Sequence, residues 1–269
     1  MTLDQLFDFL WQDYSRTTPA APRIHDLLGA RGENVVNDHV AFRTYDIGVL
    51  ALESLATVFT RLGYQKTGEY RFTQKRLRAF SFRHPDAARP HVFISELLTE
   101  RFGPNLQRIV RGLVEQVPGS RWGSPELFTT LPTWRPVAYA EYEALLAESE
   151  YAGWLAAFGI RANHFTVSVN ALTTFDSIQA LDTWLVEQGF RMNASGGIVK
   201  GTPAELLEQS SILADRVEWE FAGGERRSVP GCYYEFARRY TDPATGELYR
   251  GFIAKSADRI FESTDARLK

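Results

Sequence analysis

The segment from Asn37 to Tyr45 contains the residues best suited to chemistry, in the order Asn-Asp-His-Val-Ala-Phe-Arg-Thr-Tyr. Its alternation of polar and apolar residues, with β-branched and aromatic types, predicts a β-strand. Side chains two positions apart on a strand share a face, so His39, Ala41 and Arg43 point the same way. A histidine and an arginine separated only by a methyl group suit a metal ligand beside an anion-binding group. The conservative interpretation is a buried core histidine and a solvated arginine.

A second copy of this pattern favours the metal hypothesis. The segment 163–167 (Asn-His-Phe-Thr-Val) repeats the segment 38–42 (Asp-His-Val-Ala-Phe). Each copy is followed by a predicted helix that ends at a glycine, and then by further strands. A repeated β-α-β-β-β unit is the simplest interpretation. Two such units side by side would form a half-barrel in which His39 and His164 face each other across one cavity.

Two histidines and one carboxylate on one side of a metal leave positions for a substrate and dioxygen, which favours non-haem Fe(II). Three carboxylates are candidates for the third ligand: Glu96, Glu220 and Glu235. Glu220 lies on the predicted polar outer face of its strand. Glu235 lies between Tyr234 and Phe236, and a buried glutamate must be paired or bound to a metal. Glu96 has a similar setting, so the pattern alone does not choose between Glu96 and Glu235.

The other candidate residues carry weaker signals. His25 lies in a connecting segment, His84 precedes a proline in a turn, and His91 stands at the start of a strand. Cys232 lacks a histidine and an aspartate at the spacing of a catalytic triad, which favours a structural thiol. The glycine pairs at 196–197 and 223–224 lack the residues of a phosphate-binding loop and predict turns.

Composition excludes several classes of function. The 269 residues, 44% hydrophobic and 23% charged, are typical of a soluble globular protein, and the net charge of −3 predicts no nucleic-acid partner. No apolar run approaches about 18 residues, so we expect no membrane span. The N-terminus lacks the basic region of a secretory signal, and one cysteine excludes an intramolecular disulfide. These features predict a cytoplasmic protein, and they make no prediction of its oligomeric state.

Periodicity and breaker residues predict the elements that position these side chains. Helices are predicted at about 2–14, 24–28, 50–62, 105–117, 141–158, 175–187 and 252–261. Strands are predicted at about 37–45, 64–72, 79–83, 91–96, 161–170, 198–200, 215–221 and 233–239. We expect a single domain over residues 1–269, with a first module at about 35–100, a helical insertion at about 101–160 and a second module at about 161–240.

The nine-residue segment at 37–45, the Asn-His-Phe-Thr-Val strand and Tyr-Tyr-Glu-Phe at 233–236 together resemble the 2-oxoadipate dioxygenase/decarboxylase family of the vicinal oxygen chelate superfamily. The resemblance covers most of the chain, from about Leu3 to Tyr240. It implies an α+β fold in which paired βαβββ modules form a half-barrel around a metal site, with added helices. It also implies that His39, His164 and Glu235 hold Fe(II), which selects Glu235 over Glu96.

The resemblance further implies that Arg43 binds the carboxylate of the substrate beside His39 and His164, and that it has a catalytic role. The family converts 2-oxoadipate and dioxygen to 2-hydroxyglutarate and carbon dioxide. Longer bacterial members have substrate contacts in a C-terminal region for which this sequence offers no assigned counterpart. Two alternatives stay open: a related oxygenase with another 2-oxo acid as substrate, and a non-catalytic module that binds a small ligand on the same scaffold.

Overall fold

A computed structural model describes residues 1–253 and residue 264. The strands are β1 (Asn37–Tyr45), β2 (Gln65–Phe72), β3 (Leu77–Arg83), β4 (His91–Leu97), β5 (Ala162–Ser168), β6 (Lys200–Thr202), β7 (Leu207–Ser211), β8 (Arg216–Glu220), β9 (Arg226–Pro230) and β10 (Tyr233–Arg239). The α-helices are α1 (Leu3–Thr17), α2 (Ala20–Ala30), α3 (Leu52–Arg61), α4 (Pro104–Val114), α5 (Glu126–Thr129), α6 (Tyr139–Glu148), α7 (Glu150–Phe158) and α8 (Ile178–Glu187). Among the described residues, no helix is long and apolar enough to cross a membrane.

Eight strands form one mixed sheet in the order β2-β3-β4-β1-β5-β10-β7-β6. At its centre β1 and β5 run antiparallel, and Ala41 pairs with His164. On either side the order is equivalent, because β4 is parallel to β1 and β10 is parallel to β5. Two βαβββ modules therefore lie side by side, related by an approximate two-fold axis between the central strands. The predicted fold class, paired modules forming a half-barrel with added helices, is confirmed.

The two faces of the sheet have different coverings. Residues such as Phe42 and Phe165 lie on the outer face, where helices α1, α2, α3 and α8 pack. These contacts place aromatic and aliphatic side chains in a continuous core, and their removal from water is the main driving force for this layer. On the inner face, helix α7 covers one end of β1, where the hydroxyl of Tyr151 accepts a hydrogen bond from the backbone amide of Thr44. The inner face therefore carries the side chains of His39 and Arg43, and helix α7 covers part of it.

The third strand of the second module was predicted wrongly. Strand β8 exists where a strand was expected, but it pairs with β9 in a separate two-stranded sheet. The strand that completes the module is β7, whose Glu-Gln-Ser-Ser composition carries no hydrophobic pattern. All five of its residues are nevertheless buried, because β7 lies between β10 and β6. Tertiary pairing rather than local propensity makes this segment a strand.

The helical boundaries also differ from the prediction. One helix was expected over 141–158, but Ser149 has extended backbone angles (φ −155°, ψ 115°) and separates α6 from α7. Its hydroxyl accepts a hydrogen bond from the amide of Ala152 at 3.2 Å and so caps α7. Helix α2 begins at Ala20 rather than near Ile24, since Pro22 lies in the first turn of the helix, where a proline is tolerated. The helix expected at 252–261 falls mainly outside the described residues.

Candidate metal centre

Three side chains from three adjacent strands meet on the inner face of the sheet: His39 from β1, His164 from β5 and Glu235 from β10. Each has a ligand atom within 4.8 Å of the ligand atoms of the others. Nε2 of His39 lies 3.4 Å from Oε1 of Glu235, and Nε2 of His164 lies 3.2 Å from Oε2. Metal bonds near 2 Å separate neighbouring ligand atoms by about 3 Å, so these distances suit one shared ion. All three side chains are buried.

The residue before each histidine sets the orientation of the imidazole. Asp38 Oδ1 lies 2.8 Å from Nδ1 of His39, and Asn163 Oδ1 lies 3.1 Å from Nδ1 of His164. Both oxygens are acceptors here, so the hydrogen-bond network places a proton on Nδ1 of each ring. Nε2 of each histidine then faces Glu235 and can bind a metal, and the hydroxyl of Thr166 also lies 3.1 Å from Nε2 of His39. Metal-binding histidines commonly have such an acceptor on their other nitrogen.

Glu235 is held by Gln209, whose Nε2 donates to Oε1 at 2.6 Å. Among the residues that the structure describes, no donor forms a hydrogen bond with Oε2. A carboxylate oxygen and two imidazole nitrogens thus converge in a buried space. The negative charge and the nitrogen lone pairs repel one another there unless a cation lies between them. The donor set and the orphaned oxygen therefore fit a metal ion.

Protonation states agree with this arrangement. Burial lowers the pKa of His164 well below its usual value, and the neighbouring His39 and Arg43 lower it further, so this imidazole is neutral near pH 7. Burial raises the pKa of Glu235 to about 6, although His39 and Gln209 act in the opposite direction. Glu235 is therefore an anion near neutral pH, with a free-energy penalty that a bound cation would remove.

The strand register explains why Glu235, and not Glu96, joins the histidines. Glu235 pairs with Thr166, two positions beyond His164, and shares its face. Glu96 pairs with Thr44, five positions beyond His39, and lies on the opposite face. Its carboxylate accepts hydrogen bonds from the amide of Leu52 (2.8 Å) and from Arg78 (2.7 Å), so it caps helix α3.

Arg43 lies on the same strand face as His39, as the alternation predicts, and is almost fully buried. Its guanidinium donates to Glu150 at 3.0 Å and to the hydroxyl of Thr264 at 2.9 Å. It also stacks over the rings of Tyr151 and Trp154, at 4.9 and 5.0 Å. A substrate carboxylate that binds Arg43 must therefore either share the guanidinium with Glu150 or displace Glu150 from it. The substrate-binding and catalytic roles of Arg43 stay predictions.

The residues with weaker signals lie outside this cluster. His25 is exposed and packs on Trp11, while Nδ1 of His84 accepts a hydrogen bond from the amide of Asp86. His91 pairs with His39 in the sheet, and burial lowers its pKa to about 4. Cys232 is fully buried and burial raises its pKa to about 11, which agrees with a structural thiol.

Sequence reasoning missed the residues that support the cluster. Gln209 lies on the unpredicted strand β7, and no pattern pointed to it. Arg239 donates to both oxygens of Asp38 and to the carbonyl of Gly251, so it joins the first histidine to the C-terminal segment. The ring of Phe252 then packs against His39 with centroids 4.9 Å apart. The position of Asp38 directly before His39 was the signal that could have revealed part of this network.

Comparison with known proteins gives one family. The family model described as 2-oxoadipate dioxygenase/decarboxylase matches residues 3–118 and 125–245. The chain is 37% identical over 275 residues to the 2-oxoadipate dioxygenase/decarboxylase, chloroplastic, of Arabidopsis thaliana. That alignment covers 93% of this chain and 74% of the Arabidopsis protein.

Solved structures agree with the fold. The hydroxyglutarate synthase from Oryza sativa, in complex with 2-oxoadipate, has a TM-score of 0.90 and 32% identity, covering 97% of this chain and 91% of that one. A protein from Shewanella frigidimarina NCIMB 400, whose name describes a hydrolase, has a TM-score of 0.87 and 49% identity, covering 93% and 97% of the two chains.

Proposed function

The chain belongs to the 2-oxoadipate dioxygenase/decarboxylase family, and from that premise we propose that it is an Fe(II)-dependent enzyme that decarboxylates and oxygenates a 2-oxo acid. The proposed substrate is 2-oxoadipate, and the products are 2-hydroxyglutarate and carbon dioxide. One dioxygen balances this equation without a further reductant. The observation that carries the proposal is the buried convergence of His39, His164 and Glu235 around an orphaned carboxylate oxygen.

We assign the metal to His39, His164 and Glu235, with Asp38 and Gln209 holding two of these ligands in place. Two histidines and a carboxylate are the ligand set of non-haem Fe(II) oxygenases, and they leave open positions on one side of the metal. When bound, Fe(II) supplies Lewis acidity and the electrons that reduce dioxygen. Every other contribution below comes from the side chains of this chain.

Arg43 is proposed to bind the carboxylate of the substrate that the metal does not neutralise. A guanidinium offers a planar pair of donors that matches a carboxylate. Arg43 lies two strand positions beyond Ala41, which pairs with His164, so it lies about 7 Å along the strand from the row that contains His164. That spacing suits a short dicarboxylate that reaches from the metal to Arg43.

Burial of the centre is proposed to exclude bulk water during the reaction. His39 and His164 are less than 5% exposed, and Phe252 packs on the ring of His39. A dry site strengthens the charge–charge contacts of Arg43 and limits side reactions of an oxidising centre.

Metal analysis and oxygen consumption test this proposal together. The protein is purified without oxygen, its metal content is measured, and oxygen uptake is recorded with 2-oxoadipate and a panel of shorter, longer and mono-acidic 2-oxo acids. We expect about one iron per chain and uptake that is fastest with 2-oxoadipate, with 2-hydroxyglutarate as product. In the same assay His39→Ala should lose its iron, and His25→Ala, which removes an exposed histidine, is the control that should keep it. Iron binding without oxygen uptake on any 2-oxo acid would contradict the enzymatic function and favour a binding module.

A further inference from the structure

Tyr233 on strand β10 has a hydroxyl that the function described so far does not use. The side chain is fully buried, and no hydrogen-bond partner for its hydroxyl exists among residues 1–253 and 264. Most buried hydroxyls have a partner, since an unmade hydrogen bond costs about 1–3 kcal/mol. An unpaired hydroxyl beside a binding site is therefore a candidate donor to a ligand.

The strand register places Tyr233 in the row of His164, between the row that contains His39 and Glu235 and the position of Arg43. Tyr233 pairs with His164, and His164 pairs with Ala41, so these three form one row across the sheet. The row on one side contains His39, Thr166 and Glu235. Arg43 follows Ala41 by two positions on the other side. The Tyr233 ring stacks on the imidazole of His164, with centroids 4.6 Å apart and an angle of 28° between the rings.

A tyrosine hydroxyl carries one proton that it can donate to a carboxylate oxygen. The guanidinium of Arg43 offers further donors on the same face of the sheet. A substrate carboxylate between these two side chains would accept hydrogen bonds from both.

We propose that the Tyr233 hydroxyl donates a hydrogen bond to a carboxylate oxygen of the bound 2-oxo dicarboxylate, beside Arg43. The inference rests on the proposed function, because that function supplies the dicarboxylate. The substrate carboxylate would give the Tyr233 hydroxyl the acceptor that no described side chain or backbone group provides. Tyr233 is thus a substrate-binding residue that acts together with Arg43.

The chain contains a matched control for this proposal. The next residue, Tyr234, is also fully buried, and its hydroxyl also lacks a hydrogen-bond partner in the described part of the chain. Its ring lies on the opposite face of the sheet and packs against Trp11 and Tyr14. Tyr234→Phe therefore removes an equally buried hydroxyl that is remote from the substrate.

The experiment compares Tyr233→Phe, Tyr234→Phe and the unsubstituted protein, each loaded with Fe(II) without oxygen. Isothermal titration measures the Kd of 2-oxoadipate, chelator competition measures metal affinity, and calorimetry measures Tm. We expect Tyr233→Phe to raise the Kd about 10- to 100-fold, the range for one hydrogen bond to a charged group. Metal affinity should stay unchanged. Tm should stay equal or rise, since the removed hydroxyl has no partner. Tyr234→Phe should bind 2-oxoadipate normally.

An unchanged Kd in Tyr233→Phe would overturn the inference, and so would an equal loss of affinity in both variants. A lower Tm for Tyr233→Phe would show that the hydroxyl has a structural partner, such as a buried water, and would also count against the proposal. If the unsubstituted, iron-loaded protein does not bind 2-oxoadipate, the proposed function itself fails and the inference falls with it. If the unsubstituted protein binds 2-oxoadipate and Tyr233→Phe binds it equally well, the inference alone fails and the proposed function stands.

Discussion

Arg239 and Asp38 form a two-pronged ion pair across 201 positions of the chain, with Nε and Nη2 of the guanidinium 2.7 and 2.8 Å from the two carboxylate oxygens. Burial alone would raise the pKa of Asp38. The Arg239 charge and the hydrogen bonds from Arg239 and His39 outweigh burial and hold that pKa well below its usual range. Asp38 is therefore a permanent anion behind the imidazole of His39. The corresponding residue of the second module, Asn163, is neutral.

Asp38→Asn should weaken metal binding about 10- to 100-fold while the protein stays folded, because replacing a group that orients a ligand typically has that effect. Asparagine keeps the shape but loses the charge that holds Arg239. Competition with a chelator measures the affinity. Asp182→Asn is the control, since Asp182 is another buried aspartate but lies on helix α8, against Ser210 of β7. Equal metal affinity in the two variants would mean that the Asp38 charge does not support the site.

Removal of any one proposed ligand should abolish iron binding and activity. We expect this of His39→Ala, His164→Ala and Glu235→Ala, because a three-ligand site loses too much affinity with any ligand gone. Metal analysis of the anaerobically purified variants is the measurement. Glu96→Ala should keep its iron but lose about 1–3 kcal/mol of stability, since Glu96 bonds the amide of Leu52 and Arg78. Full iron in Glu235→Ala, with loss in Glu96→Ala, would reverse the assignment.

Arg43→Lys should keep its iron and lose much of its specificity constant for 2-oxoadipate. Lysine retains the charge but not the paired donors, and loss of a buried charged hydrogen bond costs about 2–5 kcal/mol, roughly 30-fold to several-thousand-fold. Tm should also fall, because Arg43 is ion-paired with Glu150. Kinetics, iron content and Tm are measured together. Arg161→Lys, at a buried arginine beside Asp13, is the control. An unchanged specificity constant in Arg43→Lys would leave Arg43 only a structural role.

Ionisation of Asp182 should lower the free energy of unfolding as the pH rises from about 4 to above 6. Burial raises its pKa to about 6 from 3.8, although Ser210 and Lys200 lower it. Between these values the folded state binds more protons than the unfolded state, so the stability contributed by this group is present below pH 4 and is lost as pH passes 6. The free energy of unfolding of Asp182→Asn, measured relative to that of the unsubstituted protein, should therefore be about 1–3 kcal/mol higher at pH 8 than at pH 4. Urea unfolding at both pH values measures this gain. An identical difference at the two pH values would show that Asp182 does not titrate in this way.

The sequence by itself determined the elements whose signals are local. Alternation over residues 37–45 predicted strand β1 and the shared face of His39 and Arg43. The repeated motif predicted paired modules and the approach of His39 to His164. These predictions succeeded because strand alternation and helix-ending glycines depend on neighbours in the chain.

The tertiary structure decided the rest, because strand pairing depends on contacts between distant segments. Pattern alone left Glu96 and Glu235 as alternatives. The register separates them, since a shift of one residue moves a side chain to the other face of a sheet. Strand β7 is polar and becomes a strand through its pairing with β10 and β6, and the pairing with β10 brings Gln209 to Glu235. The Arg239–Asp38 pair, between opposite ends of the chain, likewise has no local signal.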